Sequence, residues 1–210
     1  MQRTLAALVT ALLGFGLLAL SAGPANADDD IWHELRDLDG TVILFRHALA
    51  PGGGDPADFD VSDCSTQRNL SAAGRIQSRD MGRQLRKENV DVARVLSSPW
   101  CRSRQTAELM GIGSVRPMMR FGSVFTASSS VADRRRKLSM RTIARHAQRD
   151  GVLVIVGHQA NIIDLTGIAP ASGEGVVVRF RETEEKGEVG ASVGGGGLEI
   201  LGRVPAPAIR

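Results

Sequence analysis

The chain has 210 residues, of which 26 are lysine or arginine and 23 are aspartate or glutamate, giving a formal net charge of +3. This basic excess is far weaker than the dense basic surface of a nucleic-acid-binding protein, so we expect no nucleic-acid partner. It is compatible with a small anionic substrate.

The first 27 residues have the layout of a secretory signal peptide. Arg3 precedes an apolar run from Leu5 to Leu20, and the small-residue sequence Ala25-Asn26-Ala27 supplies a cleavage site. An uncleaved membrane anchor is the alternative, but the apolar run is somewhat short for a membrane span. We therefore expect a periplasmic or secreted protein with no stable membrane insertion after cleavage, and a single mature domain over residues 28–210.

Further along the chain, apolar runs alternate with segments of helical apolar spacing. Strands are predicted at residues 41–45, 94–97, 152–156, 176–180 and 198–201. Helices are predicted at residues 31–38, 71–89, 99–110 and 132–149. The alternation predicts an α/β sandwich with a largely parallel sheet, whose last two strands form an antiparallel hairpin.

The polar, glycine-rich loop from Ala48 to Asn69 is long for a simple connection and indicates a site loop. It contains Cys64, one of two cysteines outside the signal sequence, and the other is Cys101. Neither cysteine has a second Cys or His at the short spacing that metal sites use. An oxidising compartment makes the pair a disulfide candidate, and the sequence leaves open whether the bond forms.

Two of the four histidines directly follow the two strongest apolar strands. Arg46-His47 follows the first predicted strand, and Gly157-His158 follows the strand at residues 152–156. Because ligands of open α/β sheets bind beyond the carboxyl ends of the parallel strands, both imidazoles are expected in one crevice. Capping of a strand end explains either histidine alone, but it does not explain two histidines next to arginine-bearing motifs.

A third motif, residues 97–107, ends a strand and opens a helix with Arg102 in its first turn. The planar guanidinium of an arginine can hold two phosphate oxygens at once, and the positive end of the helix dipole assists it. First-turn arginines are commonly solvated, so the functional interpretation of Arg102 depends on the histidine pair.

Together these motifs resemble those of the histidine phosphatase (phosphoglycerate mutase-like) superfamily. Arg46-His47, the Ser-Ser-Pro-x-x-Arg-x-x-Gln-Thr-Ala segment at residues 97–107 and Gly157-His158 have that family's order and rough spacing, and residues 69–77 resemble its Leu-Thr-x-x-Gly-x-x-Gln stretch. The resemblance implies a three-layer α/β/α sandwich with a mostly parallel central sheet. It also implies a phosphohistidine on His47, a phosphate surrounded by Arg46, Arg102 and His158, and no metal or other cofactor.

The chemistry of phosphoryl transfer agrees with these residue types. A phosphate monoester carries nearly two negative charges, which repel a nucleophile unless nearby cations neutralise them. A neutral imidazole adds no repulsion, and its ordinary pKa of about 6.5 leaves one nitrogen unprotonated near neutral pH.

The sequence departs from the family pattern in two places. Ala48 stands where the family usually has glycine, a change that matters only if the backbone needs a positive φ there. Many family members carry a carboxylate in the corresponding stretch, where it protonates the leaving oxygen. Residues 116–130 of this chain contain no Asp or Glu. The substitute donor is left open between Glu174, just ahead of a late strand, and Asp63 on the long loop, and both are also consistent with solvated loop carboxylates.

The function predicted from these features is that of a periplasmic phosphomonoesterase acting on a phosphorylated small molecule or envelope component. A non-catalytic phospho-ligand-binding module is the alternative from another class, because the proton donor is not evident. A phosphomutase is disfavoured, because sugar-phosphate metabolism is cytoplasmic and this chain carries an export signal. The sequence does not name the substrate.

Overall fold

The structure is a computed structural model that describes residues 27–182 and 196–209. Within these residues the helices are α1 (Ala27–Asp37), α2 (Ala72–Lys87), α3 (Cys101–Met110), α4 (Ser129–Ala144) and α5 (Gln159–Thr166). The strands there are β1 (Thr41–Arg46), β2 (Val92–Ser97), β3 (Val115–Pro117), β4 (Val152–Gly157), β5 (Gly175–Glu182) and β6 (Gly196–Val204). The signal peptide expected at residues 1–27 lies outside the described residues, except for Ala27, where α1 begins.

The strands form a single mixed sheet with the order β3-β2-β4-β1-β5-β6. The four strands from β3 to β1 run parallel, whereas β5 is antiparallel to β1 and β6 is antiparallel to β5. The predicted sandwich with a mostly parallel sheet is confirmed, as is the antiparallel hairpin of the last two strands.

Alternate residues of the central strands face two separate apolar cores. In β1, Ile43 and Phe45 lie in a core with residues of α1, α2 and α3, whereas Val42 and Leu44 lie in a core with residues of α4 and α5. Because successive side chains of a strand point to opposite faces, a strand covered by helices on both faces must be apolar throughout. This requirement explains the continuous apolar runs of β1 and β4.

The start of α2 fixes the backbone that follows β1. Ser71 caps the helix by accepting a hydrogen bond from the Gly74 amide at 3.0 Å. A Cβ on Gly74 would overlap the carbonyl oxygen of Leu49, so glycine permits this close approach. The Gln77 side chain accepts from the Leu49 amide at 2.9 Å and donates to the Ser172 carbonyl at 2.9 Å. The stretch from Ser71 to Gln77 therefore holds the chain two residues after His47.

Among the described helices, none is both long and apolar enough to cross a membrane.

Candidate active site

The structure places His47 and His158 side by side at the carboxyl ends of β1 and β4. The two strands pair in register up to Arg46 and Gly157, and the His47 amide donates to the Gly157 carbonyl at 3.0 Å. The two imidazole centroids are 5.6 Å apart, and both residues are buried. The crevice predicted from the strand ends is therefore present, with both histidines in it.

His47 is buried in its neutral form, with one ring nitrogen free of hydrogen. Its Nδ1 lies 2.8 Å from the Ala48 carbonyl oxygen. Since a carbonyl only accepts, Nδ1 carries the hydrogen and Nε2 carries the lone pair. Burial lowers the pKa of His47 to about 3, with further lowering by the positive charge of Arg102. The side chain thus stays neutral well below neutral pH, and its unprotonated Nε2 faces Arg102.

His158 also stays neutral, because burial holds its pKa well below the usual value and His47 and Arg102 add to the effect. Its Nε2 lies 2.8 Å from the Ser98 hydroxyl, and its Nδ1 lies 3.5 Å from Nη2 of Arg102. Ser98 therefore orients the ring toward the arginine.

Arg102 lies in the first turn of α3, as predicted, and its side chain is only 3% exposed. Its Nε donates to Nε2 of His47 at 3.2 Å. Its two terminal nitrogens donate to the two oxygens of Asp55, at 2.6 Å from Nη1 and 3.1 Å from Nη2. The guanidinium thus connects the imidazole of His47 to a carboxylate on the long loop.

Asp55 is the contact that the sequence did not reveal. Besides Arg102, its carboxylate accepts from the Arg68 amide at 3.1 Å and from the Trp100 indole at 3.1 Å. Burial alone would raise the pKa of Asp55, but its hydrogen bonds and charge interaction with Arg102 prevail and lower that pKa. Asp55 is therefore ionised and fully engaged in this structure.

Two further arginines, Arg46 and Arg68, line the same cleft. Arg46 donates to the Pro170 carbonyl at 3.1 Å through Nη1, while its Nε has no partner within the described residues. Arg68 donates to the Gly52 carbonyl at 3.1 Å. Burial lowers the pKa of both guanidinium groups. Both remain cations at neutral pH, because an arginine in a protein is effectively always protonated.

The cleft has a volume of about 560 Å³ and combines this cationic floor with apolar walls. Phe59 stacks on Trp100 with ring centroids 5.3 Å apart. Phe125 and Ile163 line the cleft and are 68% and 42% exposed. There is room above the arginines and histidines for a phosphate with an organic group attached.

The structure brings Arg46, His47, Arg102 and His158 together, but it does not bring Glu174 or Asp63 to them. The Glu174 carboxylate accepts from the Ala171 amide at 2.6 Å and pairs with Arg203. The Asp63 carboxylate caps a short 3-10 turn by accepting from the Ser65 amide at 2.8 Å. Neither residue lines the cleft. Of the two carboxylates considered from the sequence, neither is placed to donate a proton there.

Ala48 fits its position without strain. Among the described non-glycine residues, only Asn89 has a positive φ, so the backbone at Ala48 does not require glycine. The Ala48 amide donates to the Thr106 hydroxyl at 3.1 Å, which ties this residue to α3. The departure from the family's glycine therefore does not disturb the backbone.

Cys64 and Cys101 form a disulfide with Cα atoms 5.7 Å apart, which settles the question that the sequence left open. The bond joins the long loop to the residue before Arg102, and the Cys101 amide also donates to the Gln67 side chain at 2.9 Å. By chain entropy, closing a loop of this size stabilises the fold by about 3–4 kcal/mol.

Within the described residues, no group of three or more His, Cys, Asp or Glu side chains is arranged to hold a metal ion.

The model of the histidine phosphatase superfamily, branch 1, matches residues 42–119 of the chain. The predicted resemblance to histidine phosphatases is confirmed. The matched segment includes His47, Arg68 and Arg102 of the cleft and ends before His158, the histidine that follows β4.

Several solved structures are similar to this chain at low sequence identity. The product of an open reading frame from Mycobacterium tuberculosis has a TM-score of 0.53 at 15% identity, covering 80% of this chain and 98% of that chain. A mycobacterial hydrolase has a TM-score of 0.50 at 16% identity, covering 70% and 92%. The protein histidine phosphatase SixA, complexed with tungstate, has a TM-score of 0.43 at 23% identity, covering 66% and 86%. No curated protein gives a significant match.

The buried histidines predict how stability depends on pH. Burial is the main cause of the lowered pKa of His47, His146 and His158. Below a pH of about 6.5 the unfolded chain binds protons that the folded chain does not, so stability is lost as pH falls. We expect the ring resonances of His47 to stay in the neutral form from roughly pH 8 to pH 5, while the melting temperature declines. A His47 titration centred near 6.5 would contradict this description.

Proposed function

We propose that the chain hydrolyses phosphate monoesters through a covalent phosphohistidine on His47, without a metal ion. The observation that carries the proposal is the state of His47: a buried, neutral imidazole with Nδ1–H held by the Ala48 carbonyl and Nε2 directed at Arg102. A side chain in this state is a competent nucleophile, and arginines that can hold a phosphate surround it.

In the first step, the phosphate occupies the cationic floor of the cleft, where Arg46, Arg68 and Arg102 neutralise its charge. Nε2 of His47 gives up its hydrogen bond from Nε of Arg102 and attacks phosphorus. The N–P bond forms, the bond to the ester oxygen breaks, and the alcohol leaves once its oxygen has taken up a proton. His158 is neutral, so it stabilises the transferring group by a hydrogen bond: with the Ser98 hydroxyl donating to its Nε2, its Nδ1–H is the donor. In the second step, water attacks phosphorus and releases inorganic phosphate and free His47.

This geometry accounts for the proposed independence from metal. In metal-dependent phosphoryl transfer, the cation neutralises charge on the phosphate oxygens. Here three guanidinium groups line the cleft and supply positive charge to the same position. Arginine is well suited to this role, because its planar donors match pairs of phosphate oxygens.

We further propose that the protein is exported and acts outside the cytoplasm on a phosphorylated small molecule or envelope component. The support is the order of charge, apolar run and small residues in the first 27 positions. A disulfide between Cys64 and Cys101 is consistent with an oxidising compartment.

Replacing His47 and replacing His158 should affect turnover to different extents. His47→Ala should abolish turnover of p-nitrophenyl phosphate, because no nucleophile remains. His158→Ala should reduce kcat by about 100-fold or more, as the loss of one transition-state donor typically does. Arg102→Ala should lower kcat and raise KM, since its guanidinium contacts both the bound substrate and the transition state.

His33→Ala is the matched control for these variants, because His33 is exposed on α1, outside the cleft, and pairs with Asp37. It should retain wild-type kinetics. Wild-type turnover by His47→Ala would exclude the mechanism. A wild type that binds phosphate yet hydrolyses no activated ester would instead identify a non-catalytic binding module.

Hydrolysis should survive removal of divalent metal. After exhaustive dialysis against EDTA, kcat with p-nitrophenyl phosphate should be unchanged, because arginines supply the positive charge. Loss of activity on chelation, with recovery on addition of zinc or magnesium, would show that a metal is required.

Export predicts a shorter mature protein. When the full chain is made in a Gram-negative host, intact-mass analysis of the envelope fraction should find a protein that begins at Asp28. Mature protein that keeps residues 1–27 would refute cleavage, and protein confined to the cytoplasm would refute export.

A further inference from the structure

Every nitrogen of the Arg102 guanidinium has a hydrogen-bond partner in this structure. Nε donates to His47, Nη1 donates to Asp55 and weakly to the Arg68 carbonyl at 3.4 Å, and Nη2 donates to Asp55 and approaches His158. An arginine has five such donors, and the paired terminal nitrogens form the edge that holds two oxygens of an anion. Asp55 therefore occupies the edge of Arg102 that a substrate phosphate needs.

A phosphate can bind to that edge only if the Asp55 carboxylate moves away. The exchange brings nearly two negative charges to the guanidinium in place of one. This gain offsets the loss of the hydrogen bonds that Asp55 accepts from the Arg68 amide and the Trp100 indole. The contact between Asp55 and Arg102 thus satisfies a buried cation in the free site and gives way to the substrate.

The residues just ahead of Asp55 leave space for this movement. Gly52, Gly53 and Gly54 precede Asp55, and a Cβ at Gly53 or Gly54 would meet no atom within 4 Å. The later part of the loop is fixed, since Cys64 is bonded to Cys101 and Gln67 accepts from the Cys101 amide. Asp55 can therefore shift outward while the loop that carries it stays attached to the cleft.

The position of the displaced Asp55 relative to the phosphate determines which atom of the substrate it can reach. Nε of Arg102 faces His47, and the two terminal nitrogens face Asp55. A phosphate held by the terminal nitrogens would lie between His47 and the displaced Asp55. Because the attacking and leaving atoms of phosphoryl transfer are roughly in line, the leaving oxygen lies on the side away from His47. Asp55 therefore remains on the leaving-group side.

We propose that Asp55 is the proton donor to the leaving oxygen, and that the substrate's own phosphate releases it from Arg102. The proposal rests on the function proposed above. Among the described residues that line the cleft, Asp55 is the one carboxylate. Glu174 and Asp63 are held by other partners and do not line it.

The proton balance is complete with water as the co-reactant. Separated from Arg102 and placed beside a phosphate, the Asp55 carboxylate loses its cationic partner and gains a like charge, so it takes up a proton from solvent. As the N–P bond forms on His47 and the ester P–O bond breaks, this proton passes to the ester oxygen and the alcohol leaves. The Asp55 carboxylate then accepts a proton from the water that attacks the phosphohistidine.

The test compares leaving groups in Asp55→Asn. With an alkyl phosphate, whose alkoxide must be protonated, kcat should fall by about 100-fold or more. With p-nitrophenyl phosphate, whose leaving group needs little protonation, the loss should be less than about 10-fold. Inorganic phosphate, measured by calorimetry, should bind Asp55→Asn more tightly than wild type, because no carboxylate competes for Arg102.

Asp58→Asn is the matched control, since Asp58 is exposed on the same loop, does not line the cleft and undergoes the same change of charge. It should behave as wild type with both esters and with phosphate. Asp55→Glu, which keeps a carboxyl group, should recover part of the alkyl-ester activity that Asp55→Asn loses. Melting temperatures of all variants would identify any loss that comes from unfolding.

Equal losses with both esters, or weaker phosphate binding by Asp55→Asn, would overturn the proposal and leave Asp55 only as a residue that orients Arg102. Unchanged kinetics with both esters would overturn it as well. A wild type that is inert even toward p-nitrophenyl phosphate would refute the proposed function itself. That result is distinguishable from a failure of the Asp55 assignment alone, in which the wild type is active.

Discussion

The buried guanidinium of Arg102 is the group around which the cleft is organised. A cation that is only 3% exposed must have partners on every side, because an unpaired buried charge is strongly destabilising. Those partners are His47 from β1, His158 from β4 and Asp55 from the long loop. One side chain thus connects three segments of the chain that are far apart in sequence.

Several features of the fold serve to place that guanidinium. The end of β2 and the turn at Ser98 bring α3 to the edge of the sheet where β1 and β4 also end. The disulfide and the Gln67 side chain then hold the long loop against the first turn of α3. Gln77 of α2 fixes the chain after His47 from the other side. The two histidines therefore directly follow strands of the sheet and Arg102 lies in a helix, whereas Asp55 lies on the long loop.

Much of the fold was predictable because a strand that is buried on both faces of a sheet has a continuous run of apolar residues. The central strands β1 and β4, and the two histidines that follow them, stand out for that reason. By contrast, β3 has three residues and α5 has eight, too short for periodicity to reveal them. The helix predicted at residues 132–149 instead ends at Ala144. Beyond it, the buried His146 lies with Nε2 3.0 Å from the Gly151 carbonyl.

The carboxylates were the hardest part of the site to predict. Glu174, just ahead of β5, does lie at the histidine end of the sheet, where its carbonyl accepts from the Arg46 amide. The sequence could not show that Arg203 of β6 pairs with its side chain. Asp55 lies in a polar, glycine-rich loop without periodicity, and its partner Arg102 is 47 residues away. Only the folded chain brings the two together.

The most direct test of the central claim is rapid-quench labelling with a phosphorylated substrate, followed by mapping of the labelled peptide. The account predicts an acid-labile phosphoryl group on His47 within the first turnover, formed in the presence of EDTA. Label on any other residue, or turnover without a phosphorylated intermediate, would contradict it.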